Sequence, residues 1–157
     1  TFTVTGTTWK DHEFSTSAMT SDMAGWDWFA LQFDDNHELM LGQIRLTSGQ
    51  PSELGYGGLL MLPDGSIQSL ERDEFSIIVT DTWTSPHTGT TYPARWDITI
   101  EFEESESLHI TVTPLMPNQE LTEGIVYWEG AVQITGDATG YGYVELTGYA
   151  FPIQTLF

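Results

Sequence analysis

The strongest constraint on the fold is an alternation of apolar and polar residues with a period of two, which recurs along most of the chain. This period places successive side chains on opposite faces of a β-strand, whereas a helix needs a period near 3.6. Clusters such as Pro63-Asp64-Gly65-Ser66 interrupt the alternation at short intervals, as hairpin turns require. The sequence therefore predicts an all-β protein of many short antiparallel strands.

About nine strands are expected, with short helical turns only at 15–25 and 117–124. A loop is expected at 83–93, where prolines interrupt the pattern. The predicted strand ranges are 26–33, 38–47, 57–62, 67–70, 75–82, 94–102, 107–113, 125–135 and 141–151. Many antiparallel strands with frequent turns are typical of a closed barrel or a sandwich.

Charge and cysteine content exclude several classes of function. The 157 residues contain 4 Lys plus Arg and 23 Asp plus Glu, for a net charge of -19. Four basic residues are too few to neutralise phosphates, so neither nucleic acid nor an anionic membrane surface is an expected partner. The absence of Cys excludes disulfides, Cys-ligated zinc, iron–sulfur clusters and a thiol nucleophile. A chain of this length is expected to form one domain, 1–157, with its own core.

The ends and the surface suggest where the protein works. No apolar stretch approaches 18 residues and no signal-peptide pattern opens the chain, so no membrane span is expected. The chain begins at Thr1 within a strand-like pattern, which favours a processed or excised piece of a longer protein. The acid-rich surface is typical of salty or extracellular surroundings, and we predict a secreted or periplasmic location.

The last two strands carry carboxylates among aromatic side chains. Tyr141, Tyr143 and Glu145 alternate with apolar residues, and Tyr127 and Glu129 do so on the preceding strand. One interpretation is a solvated outer face. The other is an aromatic-lined lumen holding an acid whose pKa is raised by desolvation. Both faces carry large apolar groups, so the pattern leaves the two interpretations open.

A second group of titratable residues lies near the start of the chain, in Trp9-Lys10-Asp11-His12-Glu13-Phe14. Neighbouring residues of a strand point to opposite faces, so this strand cannot supply three converging metal ligands, and no metal site is expected. His12 is either a structural histidine or a proton-transfer group.

Four motifs, which follow one another along nearly the whole chain, resemble the family of carotenoid 1,2-hydratases (hydroxyneurosporene synthase) and "predicted secreted hydrolase" proteins. These motifs are Val4-Thr-Gly-Thr-Thr-Trp-Lys-Asp-His-Glu-Phe14, Gly25-Trp-Asp-Trp-Phe-Ala-Leu-Gln-Phe33 with Glu38-Leu-Met-Leu41, Trp83-Thr-Ser-Pro86 with Tyr92-Pro-Ala-Arg-Trp96, and Tyr127-Trp-Glu-Gly-Ala-Val132 with Gly142-Tyr-Val-Glu-Leu-Thr-Gly-Tyr149. The resemblance implies a lipocalin-like antiparallel β-barrel. It also implies that this chain is the second of two such halves and begins after that half's first strand. A sister barrel or a second copy would then cover the open sheet edge.

The resemblance further implies apolar substrates or ligands. No cofactor is expected. The His-x-aromatic pair of such hydratases matches His12 and Phe14, whereas the positions of its Tyr-x-Asp partner, near 39–41, are apolar here. Binding of an isoprenoid, polyene or lipid-like molecule is the first functional hypothesis. A hydratase, isomerase or cyclase is the alternative, and a structural or assembly subunit without chemistry is the third.

These hypotheses assign the site as two groups of side chains. The candidate proton donors and acceptors are His12, Asp11, Glu13, Glu129 and Glu145. The aromatic side chains expected to shape the pocket or to steady a cation are Trp26, Trp28, Trp96, Tyr127, Trp128 and Tyr143.

Overall fold

The structure is a computed structural model that describes residues 2–6, 8–10, 20–102 and 106–152. Ten β-strands account for its regular secondary structure. They are β1 (Met23–Phe33), β2 (Glu38–Leu46), β3 (Pro51–Met61), β4 (Ile67–Leu70), β5 (Phe75–Thr84), β6 (Thr91–Ile100), β7 (Leu108–Pro114), β8 (Glu120–Leu121), β9 (Tyr127–Gly136) and β10 (Gly140–Leu146).

All ten strands form one antiparallel sheet in the order β4-β3-β2-β1-β10-β9-β7-β6-β5, with β8 paired to β9 beside this path. The sheet curls until side chains from distant strands meet. The ring of Tyr56 on β3 stacks on Phe75 of β5 with 4.9 Å between centroids. Nine strands thus make a half-barrel, which confirms the predicted all-β antiparallel class.

The inside of the half-barrel is filled by side chains. Inward positions alternate along each strand, as on β1, where Phe29, Leu31 and Phe33 are buried. Trp96 of β6 and Trp128 of β9 meet at the centre, where both are at most 1% exposed. Their ring centroids are 6.5 Å apart. One continuous cluster of buried residues therefore joins the strands into a single core.

Three predictions of element type differ from the structure. Residues 23–25, in a segment where a helical turn was expected, begin β1. Residues 120–121 form the short strand β8, where a helical turn was expected. Most of the expected loop 83–93 extends β5 and β6 instead, because Thr82, Trp83 and Thr84 pair with Pro93, Tyr92 and Thr91. Pro93 is tolerated because it lies beside a ladder irregularity and beyond the part of β6 that pairs with β7.

The hydrogen-bonded order ends at two edges, β4 and β5. β4 covers only residues 58–61 of β3, so residues 51–57 lack a β4 partner. On β5, Ile78 and Val79 are 60% and 45% exposed. The β5–β6 ladder is irregular around Asp81, and both the irregularity and the charge are features that discourage edge-to-edge pairing.

Candidate functional site

One end of the half-barrel is closed by a buried ion pair. Asp27 of β1 points inward and is 6% exposed. Its carboxylate accepts hydrogen bonds from Arg45 Nε at 2.9 Å and from the Tyr149 hydroxyl at 3.0 and 3.2 Å. The Arg45 guanidinium lies 3.7 Å above the centroid of the Tyr149 ring and donates to the Thr147 carbonyl. Among the described residues, no buried side-chain nitrogen or oxygen lacks a hydrogen-bond partner. We call the group of Asp27, Arg45 and Tyr149 the plug.

Protonation in this plug follows from burial. Burial raises the pKa of Asp27, and the Arg45 charge with hydrogen bonds from Arg45 and Tyr149 opposes that rise. Burial and the neighbouring Asp27 charge raise the pKa of Tyr149. Tyr149 therefore stays protonated near neutral pH, and its hydroxyl donates a hydrogen bond to the Asp27 carboxylate.

The plug packs against a second polar cluster. The ring of Tyr149 lies 5.5 Å from that of Tyr92, whose hydroxyl donates to Glu120 at 3.0 Å. Glu120 also accepts hydrogen bonds from Ser85 and, at 2.6 Å, from Thr88. These bonds join β8 to the β5–β6 hairpin. Burial raises the pKa of Glu120, but the three hydroxyl donors outweigh it, and the net shift is downward.

The opposite end of the half-barrel carries a cleft, six residues or about 20 Å along β1 from Asp27. This hairpin-end cleft has a volume of about 230 Å³. Its floor is apolar and comes from strands and turns that are distant in sequence. The floor residues are Phe33, Leu60, Phe102, Leu108 and Ala138.

The rim of the hairpin-end cleft is polar and acidic. It consists of Asp35, His37, Glu106 and Ser107. His37 Nδ1 lies 3.0 Å from the Asp35 carboxylate, which also accepts the His37 backbone N–H at 3.1 Å. The hydrogen bond from that backbone N–H lowers the pKa of Asp35. Asp35 is therefore ionised near neutral pH, and the ring of His37 is held at the rim.

The turns around this cleft are tied to one another. The Asp34 backbone N–H donates to the Thr139 carbonyl at 2.8 Å, and the Thr139 hydroxyl returns a bond to the Asp34 carboxylate at 2.6 Å. Asp137 in the β9–β10 turn accepts the His109 backbone N–H at 2.9 Å. Asn36 adopts the left-handed conformation that closes the β1–β2 turn. The cleft is therefore formed by turns that hold each other in place.

A second cleft, of about 300 Å³, lies beside the β5–β6 ladder. Its apolar lining residues are two prolines, one tryptophan and one alanine. Its lining residues are Asp81, Thr82, Trp83, Ala94, Thr113, Pro114 and Pro117. Thr113 of this second cleft offers a control position for substitutions in the hairpin-end cleft.

Six of the predicted site residues share the outer face of β1, β10 and β9. Trp28 is the ladder partner of Glu145, which is in turn the partner of Glu129. The Trp26 indole N–H donates to Glu145 at 3.2 Å, and the Tyr127 hydroxyl donates to Glu129 at 3.3 Å. Tyr143 is 50% exposed on the same face. The acids and aromatics predicted together therefore do lie together, but outside the core.

The remaining predicted residues are elsewhere. Trp96 and Trp128 lie in the filled core, separated by the sheet from the outer-face group. His12, Asp11 and Glu13 lie outside the described residues, so their roles stay predictions. Next to them, the ring of Trp9 stands edge-on to Trp28 with 5.9 Å between centroids. That contact brings the start of the chain onto the outer face.

Sequence reasoning missed the groups at the two ends of the half-barrel. His37 was not among the predicted site residues, and Asp27 entered only as part of the motif 25–33, whose tryptophans were the predicted site residues. A usable signal existed for Asp27, which has the same parity on β1 as the buried Phe29 and Leu31. An inward acid requires a partner, and Arg45 is one of four basic residues available.

Two features of the described residues bear on the class of site. Among the described residues, no group of three or more His, Asp or Glu side chains is placed to hold a metal ion. In the same part of the chain, no helix has the length and hydropathy needed to cross a bilayer.

Comparison with known proteins finds a matching family and similar solved structures. The model of the AttH-like family matches residues 1–149. The crystal structure of a protein named AttH from Nitrosomonas europaea superposes with a TM-score of 0.75 at 35% identity, covering 86% of this chain and 42% of that chain. Kievitone hydratase from Nectria haematococca shares the fold, with a TM-score of 0.61 at 20% identity, covering 82% of this chain and 40% of that chain.

This chain thus spans less than half of either matched chain. No curated protein matches it. The family match covers most of the residues, including all ten strands. The chain belongs to the AttH-like family.

Proposed function

We propose that the chain binds an apolar small molecule, of isoprenoid, polyene or lipid-like character, in the hairpin-end cleft. The observation that supports this most directly is the apolar floor of the cleft, surrounded by a few polar groups, which is the usual composition of a small-molecule site. Among the described residues, the large inward side chains of the half-barrel are buried against one another, whereas the cleft is open to a ligand.

The size of the cleft sets how the molecule would sit. A volume of about 230 Å³ accommodates one end of a drug-sized or isoprenoid molecule, while the rest lies over the rim. The interlocked turns favour binding, because little backbone freedom is lost when the ligand enters. Contact with Phe33, Leu60 and Leu108 would supply the free energy, since the burial of apolar surface drives such association.

The test fills the cleft with a side chain. In the Ala138→Trp variant, a bulky ring replaces a methyl group on the floor, and we expect binding of Nile red, a neutral apolar dye, to weaken at least tenfold. The matched control is Thr113→Trp, which places the same ring in the exposed second cleft and should leave the affinity unchanged. Equal affinity of both variants and the parent would refute binding in this cleft. Far-UV circular dichroism checks that each variant is folded.

A hydratase, isomerase or cyclase acting on the same molecule is the second candidate. His37 favours it, because its imidazole stands at the rim of an apolar cleft and is oriented by a carboxylate, the arrangement that proton transfer needs. Incubation with polyenes and isoprenoids followed by mass spectrometry separates the candidates. A gain of one water identifies a hydratase, and unchanged mass with altered retention identifies an isomerase or cyclase. Recovery of unaltered molecules with the protein leaves binding alone.

A further inference from the structure

The rim of the hairpin-end cleft carries the polar groups that the head of a bound ligand would meet. Resting on the proposed function above, we infer that the ligand is an amphiphile with an apolar body and a cationic head, and that the site rejects fatty-acid-like carboxylates. The inference rests on the charges placed around the cleft, which are distinct from its apolar floor.

The charges at the rim have one sign. Asp35 is 62% exposed at its side chain, and Glu106 is exposed on the facing turn. No Lys or Arg is among the described residues that line the cleft. Arg45 forms an ion pair with Asp27 at the other end of the half-barrel. A head group over the floor therefore meets carboxylates on two sides.

Other hydrogen bonds at the rim also limit what the head can be. The Ser107 hydroxyl donates a hydrogen bond to Glu101, so that hydroxyl is not available as a donor to a ligand carboxylate. The Asp35 carboxylate already accepts a hydrogen bond from the His37 backbone N–H, and His37 Nδ1 lies 3.0 Å from the same carboxylate. His37 Nε2 is the remaining ring nitrogen that could face a ligand. One imidazole does not offset two carboxylates.

The whole chain adds to the same preference. A net charge of -19 produces a negative potential that concentrates cations near the surface and repels anions. The apolar floor is needed as well, because charge alone would attract any cation without placing it. A long-chain ammonium compound satisfies both requirements, whereas the matching carboxylate satisfies only the floor.

The test uses three probes with the same ten-carbon chain: decyltrimethylammonium, decanol and decanoate. Isothermal titration calorimetry at low salt should rank the ammonium first and the carboxylate last, with about a tenfold or larger difference between them. The difference should shrink in 1 M NaCl, where the Debye length falls to about 3 Å. Amide chemical-shift changes should include His37 and Ala138, which places the ammonium probe in the cleft.

Two charge-matched double variants separate the rim from the overall charge. Asp35→Asn with Glu106→Gln should reduce the preference for ammonium over carboxylate by about fivefold. Glu53→Gln with Glu123→Gln removes the same two charges from exposed positions away from the cleft and should keep the preference. If both double variants lose the preference for ammonium over carboxylate equally, the selectivity arises from the net charge and the inference fails.

The remaining outcomes keep the inference and the proposed function distinct. If decanoate binds the parent chain as tightly as the ammonium probe, and Ala138→Trp abolishes both, the inference is overturned while binding in the cleft stands. If Ala138→Trp leaves the binding of all three probes unaltered, the proposed function falls as well.

Discussion

Asp27 shows how much a single inward acid demands of its surroundings. Its position on β1 would otherwise belong to the apolar core, since Phe29 and Leu31 of the same parity are fully buried. The residue is accommodated because Arg45 and Tyr149 satisfy both of its oxygens. A buried ion pair of this kind adds little net stability when intact but is costly to break, because an unpaired charge is left behind.

Removing one charge of this pair should therefore destabilise the fold strongly. We expect Asp27→Asn to lower the free energy of unfolding by about 3 kcal/mol, because Arg45 stays buried without its carboxylate. Urea unfolding at neutral pH measures the difference. Asp97→Asn is the control, since Asp97 is exposed and accepts one hydrogen bond from Thr111; it should change stability by at most about 0.5 kcal/mol. A loss for Asp27→Asn no larger than for Asp97→Asn would show that the plug is not a stabilising unit.

At the scale of elements, β8 is held less by its ladder than by one side chain. Two residues pair with β9, whereas Glu120 bridges β8 to the β5–β6 hairpin through Ser85, Thr88 and Tyr92. The hydrogen bonds are to a carboxylate, so their contribution depends on its ionisation. The attachment of this strand is thus sensitive to pH.

The sign of this dependence follows from the lowered pKa of Glu120. A depressed carboxylate stabilises the fold above its unfolded-state pKa of about 4.5, and the contribution is lost as pH falls through the folded-state value. Glu120→Gln should cost about 1 to 2 kcal/mol at pH 7, a modest figure because the site is partly exposed, and much less at pH 3.

Urea unfolding at both pH values gives this comparison. Glu123→Gln in the same connection is exposed and should be neutral throughout. A cost for Glu120→Gln that is the same at pH 3 and pH 7 would contradict an ionised role for the carboxylate.

The elements also show what the sequence could predict. The period-two alternation located nine strands, because each of them has a buried face and is long enough for the alternation to be visible in the sequence. It could not reveal β8, because two residues have no period, and it began β6 at 94 instead of 91 because Pro93 resembles a loop boundary. The residues of the outer-face group were predicted together, since strand parity is readable, yet parity does not say which face is inside. Tyr143 and Val144 are both large and apolar, and only packing distinguishes them.

The candidate site was less predictable than the fold. The hairpin-end cleft joins Phe33, Leu60, Phe102 and Ala138 from four separate hairpins, and their convergence depends on sheet curvature. Turn signals at 34–37 and 136–140 were visible in the sequence, but not the hydrogen bonds that tie these turns together.

For the whole molecule, charge is the dominant feature. Four basic residues against 23 acidic ones leave the folded state under self-repulsion. Raising NaCl from 0.05 to 1 M should therefore increase the melting temperature by a few degrees, corresponding to about 1 kcal/mol. Differential scanning fluorimetry measures the shift, and KCl should reproduce it. No increase, or an increase confined to one cation, would point away from general screening.

The relation of this half-barrel to the longer matched chains belongs to the same scale. The chain covers 42% and 40% of the two matched chains, and β5 presents an edge with exposed Ile78 and Val79. A sister barrel or a second copy covering this edge remains our proposal, as does the secreted or periplasmic location. Assignment of the chain to the second half stays a prediction.

The separation between the plug and the hairpin-end cleft has a consequence for how members of this family could diversify. About 20 Å of β1 lies between Asp27 and Phe33, and the floor and rim of the cleft share no residue with the ion pair. Substitutions at distant sites act almost independently. Ligand preference can therefore drift through changes at the hairpin turns while the determinants of folding are retained. Directed evolution restricted to the cleft should yield new specificities without compensating mutations at the opposite end.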